Sequence, residues 1–218
     1  MIANKLAGLE PASVFGYFEK ICSIPHGSRN TKLISDYLVS FAEEYGIRYF
    51  QDELNNVVMF QEGTCGLEDH EPVIIQGHMD MVCEKDEDCT INMDTDGLDV
   101  THDGSYVFAR GTTLGGDDGI AVAMMLAILD CPPEPHPAIE CLFTVCEETG
   151  LEGACVAGQQ NGLVRVLCFD LFQQRVESAR HVQHGFAPGI SGGKLALVGK
   201  KTRISPVLPL VDAVILLH

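Results

Sequence analysis

The chain has no Trp and few basic side chains: 14 Lys and Arg stand against 31 Asp and Glu, a formal net charge of −17 over 218 residues. A surface this acidic repels phosphate, which excludes nucleic-acid binding through a basic face. It suits solubility or cation binding instead. Long apolar runs are also missing. The run at 120–129 is ten residues long, too short to cross a bilayer. The start, MIANKLAGLEP, carries Lys5 but no apolar core of signal-peptide length. The apolar end, VLPLVDAVILLH, is broken by Pro209 and Asp212. These absences lead us to expect a soluble, cytoplasmic protein with no membrane or nucleic-acid partner. The nine cysteines are odd in number and no two have C-x-x-C spacing. Neither a disulfide framework nor a zinc-ribbon pattern is present, which points to a reducing compartment.

Several catalytic signatures are absent as well. Gly111-Thr112-Thr113-Leu114-Gly115-Gly116 lacks the Gly-Lys-Ser/Thr ending of a P-loop and the G-x-G-x-x-G spacing. Cys83 and Cys146 lie near polar clusters, but their expected role is that of core cysteines.

What is present reads as a packed chain, with 46% hydrophobic residues. The charge is uneven: residues 1–170 hold 29 acidic and 8 basic side chains, and residues 171–218 hold 2 and 6. All the cysteines lie in the first part, the last at Cys168. Residues 11–21 read as a short helix. A longer one runs from Arg29 to Tyr45 with Ser28 as N-cap, apolar side chains at helical spacing and Gly46 as the stop. Strands are expected at Arg48–Gln51, Val57–Phe60, Val73–Gln76, Ile139–Val145 and Leu163–Phe169. A hairpin is expected around Asp103-Gly104, a buried helix over Ile120–Leu129 and a further helix around 151–160. The alternation of strands and helices predicts an α/β layered domain with a largely parallel sheet. In such sheets ligands bind beyond the carboxyl ends of the strands.

Four polar clusters fall at those ends: Gly77-His78-Met79-Asp80, Gly115-Gly116-Asp117-Asp118-Gly119, Glu147-Glu148-Thr149-Gly150 and Phe169-Asp170. Singly, each reads as an ordinary loop. Jointly they are more informative, because ionised carboxylates beside an apolar core need a partner or a cation. A His with several carboxylates is a zinc ligand set, and a shared carboxylate suits two metals. The Glu pair offers two jobs, one metal ligand and one proton acceptor. Asn92-Met93-Asp94-Thr95-Asp96-Gly97 with Asp103 has partial EF-hand spacing, yet lacks the first Asp, the last Glu and helical flanks. A solvated acidic loop explains it better.

The segments VIIQGHMDMVCEKD, RGTTLGGDDGIAVAMMLAIL and CEETGLEGA resemble successive signatures of the dizinc metallopeptidases of the aminoacylase/carboxypeptidase superfamily. The branch they are most similar to is the aminoacyl-histidine (Xaa-His, β-alanyl-histidine) dipeptidases. The resemblance covers residues 1–170. It implies a zinc-peptidase-like catalytic domain and two Zn²⁺ ions. It makes His78 and Asp170 ligands of the first metal, Asp117 the bridge and Glu148 a ligand of the second. Asp80 would orient His78, and Glu147 would act as general base in hydrolysis of short peptides such as carnosine. Asp118 stands where the branch often has Asn and takes no role. Family members are about twice as long, with a lid domain that mediates homodimerisation and a final His ligand after it. Residues 171–218 align with none of this, so the expectation is a chain truncated before the lid, with an unaligned basic tail. His181, His184 and His218 are the candidates for the missing ligand, and none sits in a recognisable pattern. The alternative expectation is an inactive metal-binding fragment of such a dipeptidase.

Overall fold

A computed structural model describes residues 5–157 and the two-residue strand Thr202–Arg203. The first helix, α1 (Ala12–Cys22), buries Val14, Phe15, Phe18, Ile21 and Cys22, one face at helical spacing. The second, α2 (Lys32–Tyr45), buries Ile34, Leu38, Phe41 and Ala42 in the same way. It ends as expected at Gly46, whose φ of 66° lets the Ile47 N–H turn back onto the Ala42 carbonyl at 2.8 Å. It begins three residues later than expected, after Thr31, and Ser28 is not its cap.

Four strands form one sheet: β1 (Arg48–Gln51), β2 (Val57–Gln61), β3 (Val73–His78) and β6 (Ile139–Thr144), in the order β1-β2-β6-β3. The β3–β6 pair is parallel, and β2 and β1 join it antiparallel. The class is therefore the expected α/β, with its parallel part confined to β3–β6 among the described residues. A parallel pair needs a crossover. Here that crossover contains the hairpin β4 (Val100–His102) and β5 (Tyr106–Ala109), then α3 (Gly116–Asp130). Asp103 shapes the hairpin turn: its Oδ1 accepts the N–H groups of Ser105 and Tyr106, and Gly104 takes φ 90°. The short strand β7 (Thr202–Arg203) pairs with β5.

Helix α3 is apolar all round and buries Val122, Ala123, Met125, Leu126 and Leu129. It packs between β3 and α1, and a side chain at Gly119 would meet the Phe18 ring at 3.3 Å. The buried side chains form one core from α1, α2, α3 and the sheet. A short helix, α4 (Glu152–Ala157), lies against β6. None of the described cysteines is paired; Cys22, Cys141 and Cys146 are buried, whereas Cys83 is exposed rather than in the core. No helix among the described residues is long and apolar enough to cross a membrane.

Candidate functional site

Because β3 and β6 run parallel, their carboxyl ends open at the same edge. His78 lies opposite Thr144, and Met79 extends the pairing by donating its N–H to the Thr144 carbonyl at 2.8 Å. This register sets His78 and Asp80 beside the segment Val145–Glu148. Three of the expected residues converge there. Ligand atoms of His78, Glu147 and Glu148 all lie within 4.8 Å of one another.

His78 is buried, with its side chain 8% exposed. Its Nδ1 faces acceptors only, the Asp80 carbonyl at 3.0 Å and the Asp80 Oδ1 at 3.5 Å. Nδ1 therefore carries a proton, and Nε2 points at the carboxylates. The Asp117 Oδ1 is 3.3 Å from Nε2, and the Glu147 Oε2 is 3.9 Å away. Burial opposes charge on this ring. The Asp80 hydrogen bond and the charges of Asp118, Asp80 and Glu147 outweigh it and lift the pKa to about 9.

Asp80 is 1% exposed and fully engaged. Its Oδ2 accepts the Ser28 hydroxyl at 2.7 Å, and its Oδ1 accepts the Glu147 N–H at 3.1 Å. Burial works against the carboxylate charge. Hydrogen bonds from His78, Ser28 and Glu147 more than offset it, and the pKa lies below the usual range.

Asp117 and Asp118 sit where α3 begins, but neither has helical dihedrals, and the peptide between them is cis. Asp117 is 89% exposed on the open side of His78. Asp118 turns inward, and its Oδ2 accepts the His78 N–H at 3.3 Å. Gly77 leaves room for this, since a Cβ there would stand 3.0 Å from that oxygen. Burial, only partly offset by His78, pushes Asp118 up to about 6. Burial and then the Glu147 charge also raise Glu148.

The loop that carries Glu147 and Glu148 is tightly turned. Cys146, Gly150 and Leu151 all have positive φ, at 55°, 119° and 62°. For Cys146 and Leu151 this is an unfavourable region that the surroundings must enforce. Asn56 supplies part of that enforcement. Its Oδ1 accepts the Val145 N–H at 3.0 Å, and its Nδ2 donates to the Gly153 carbonyl at 2.9 Å. The Gly153 N–H in turn reaches the Val145 carbonyl at 3.1 Å. A Cβ at Gly153 would stand 2.3 Å from that carbonyl oxygen and 2.6 Å from the Asn56 Oδ1. Gly153→Ala is therefore expected to lower stability by roughly 1–3 kcal/mol by overpacking, read from the urea unfolding midpoint.

Of the sequence-expected residues, His78, Asp80, Asp117, Glu147 and Glu148 are thus brought to one edge. Asp170, the strand Leu163–Phe169 and the histidines His181, His184 and His218 lie outside the described residues. Two contributors escaped the sequence reading. Asp118 takes no role by resemblance, because the family branch often has Asn there, yet it accepts the His78 N–H. Ser28 looked like a helix cap. The acidic loop at 92–96 spends oxygens on its own backbone: the Asp96 Oδ2 accepts the Asn92 N–H, and the Asn92 Oδ1 accepts the Asp94 N–H. Gly97 is not left-handed, as an EF-hand turn would ask. It makes room for the Ser23 carbonyl, 2.7 Å from where its Cβ would be.

No protein-family model matches the chain. The chain is 38% identical over 151 residues to the cytosol non-specific dipeptidase of Escherichia coli (strain K12), which covers 69% of this chain and 31% of that protein. The crystal structure of aminoacylhistidine dipeptidase from Vibrio alginolyticus matches with a TM-score of 0.66 and 39% identity, over 69% of this chain and 31% of that one. A tripeptidase from Staphylococcus aureus shares the fold, with a TM-score of 0.54 at 24% identity, over 66% of this chain and 38% of its own. The chain spans 31% of the length of the first two relatives.

Proposed function

We propose a function for a chain whose N-terminal portion matches the aminoacyl-histidine dipeptidases in sequence and fold: it furnishes the metal-binding edge of a peptidase site, and the protein hydrolyses dipeptides, including Xaa-His dipeptides such as carnosine. The observation that carries this reading is the convergence of His78, Glu147 and Glu148 within 4.8 Å at the carboxyl ends of two parallel strands. The donor set fits zinc: one imidazole whose Nε2 faces carboxylates. Carboxylates this crowded repel one another, and a divalent cation is the counter-charge that lets all of them ionise.

On this reading His78 and Asp170 would hold one zinc ion and Glu148 a second, and Asp117 would serve as a ligand to both. Bound zinc supplies polarisation of the scissile carbonyl and acidifies water. Glu147 accepts the proton from the attacking water and returns it to the leaving amine. Asp80 keeps the proton on the His78 Nδ1, so Nε2 is free to bind. His78 must surrender its second proton to do so, and with its pKa lifted to about 9 binding should tighten as pH rises toward that value. Residues 1–170 form the N-terminal part of the catalytic domain, and residues 171–218 an unaligned basic tail. The working compartment is the cytoplasm, as the name of the E. coli relative says of that protein.

The test is a zinc titration of the whole chain together with a carnosine hydrolysis assay. Two ions per chain with turnover support the enzyme. Glu147→Gln should then keep zinc and lose about 10²- to 10⁴-fold in rate, the contribution of a general base. One ion or none, without turnover, supports the alternative of a metal-binding fragment.

A further inference from the structure

We propose that Ser28 is a positioning residue of this site: its hydroxyl fixes the Asp80 carboxylate, which in turn aligns the His78 ring and the Glu147 backbone. The inference rests on the reading above for the roles of His78 and Glu147.

The helix-cap role expected for Ser28 is vacated, because α2 starts at Lys32 after Thr31. The hydroxyl donates to the Asp80 Oδ2 at 2.7 Å instead. Its origin is held firmly. The Ser28 N–H donates to the Met81 carbonyl at 3.2 Å, and the Met81 N–H donates to the His26 carbonyl at 3.1 Å. Residues 26–28 therefore run alongside the continuation of β3. Gly27 permits this approach, since a Cβ there would fall 2.5 Å from the Cys83 Sγ.

The consequence follows from the geometry of one carboxylate. Its two oxygens divide the work: Oδ2 takes Ser28, while Oδ1 takes the Glu147 N–H at 3.1 Å and lies 3.5 Å from the His78 Nδ1. Removing the Ser28 hydroxyl removes the donor on Oδ2 in a buried setting. The carboxylate then turns to find another donor, and Oδ1 turns with it. The His78 ring and the Glu147 backbone lose their common anchor together.

The experiment compares the whole chain with Ser28→Ala and Ser28→Thr. Without metal, amide exchange at Glu147 is read against exchange at Met79, whose N–H pairs with the Thr144 carbonyl, and the ¹⁵N shifts of the His78 ring are recorded. Ser28→Ala should speed Glu147 exchange about tenfold relative to Met79, as loss of a charge-assisted hydrogen bond would, and shift the ring nitrogens. Ser28→Thr should restore both. Zinc affinity, measured by competition with a chromophoric chelator, should fall about tenfold in Ser28→Ala, the low end for a residue that orients a ligand. Unchanged exchange and ring shifts overturn the proposal. Equal acceleration at Met79 also overturns it, by reducing Ser28 to a general stabiliser. A wild-type chain that binds no zinc but shows the exchange effect defeats the metal reading and keeps the Ser28–Asp80–Glu147 link.

Discussion

Asp80→Ala is expected to weaken zinc binding by about 10- to 100-fold, the range for a group that orients a metal ligand, and to lower stability by roughly 2–4 kcal/mol, since it strands buried donors. The carboxylate is 1% exposed and serves three groups at once. The Ser28 hydroxyl and the Glu147 N–H lose their acceptors outright. His78 keeps the Asp80 backbone carbonyl at 3.0 Å but loses the nearby negative charge. The ring stays roughly placed, while its basicity and the Glu147 loop do not. Asp80→Asn separates the two effects. Its carbonyl oxygen can still accept the Glu147 N–H, and its amide can donate to Ser28, whose hydroxyl accepts as readily as it donates. That variant should keep most of the stability and still bind zinc more weakly. Zinc competition and urea unfolding of both variants check this; an Asp80→Ala chain with wild-type zinc affinity would refute it.

Phe143→Ala is expected to cost about 3–5 kcal/mol, the range for emptying an aromatic site in a core. Phe143 is 0% exposed and lies on β6, with β2 on one side and β3 on the other. Its neighbours in the register are Val57 and Gly77. Gly77 offers no side chain to refill the space, and it cannot be enlarged without crowding Asp118. The cavity would therefore persist. It would also lie one residue before the His78–Thr144 pair on which the site is built. A reduced urea midpoint with an unchanged slope is the expected signature; a loss under about 1 kcal/mol would show that the core collapses around the gap.

Some of this could be read without coordinates. The apolar run before His78, the run before Glu147 and the helical period of α2 each appear in local sequence, and a strand or helix forms at each. Local reading also placed the polar clusters at element ends, because an apolar run that stops at a carboxylate marks a surface edge. Ser28 shows where such reading stops. A serine before an amphipathic segment is a fair N-cap, and only the approach of residues 26–28 to Met81 gives its hydroxyl to Asp80. The start of α3 is similar. The buried helix was legible, but the non-helical turn at Asp117 and Asp118 was not, because it depends on the close passage of Gly77.

The deficit of basic charge and the order of the apolar runs determined the class: an acidic α/β chain with carboxylates and one imidazole at its strand ends. That follows from local chemistry, since periodicity and burial cost are written residue by residue. Which side chains meet was decided by tertiary structure alone. The parallel register of β3 and β6 brings His78 to Glu147 across 69 positions of sequence, and one buried carboxylate ties three segments together. Distances of this kind depend on how strands pair and how closely glycines let backbones pass, and neither is encoded at any single position.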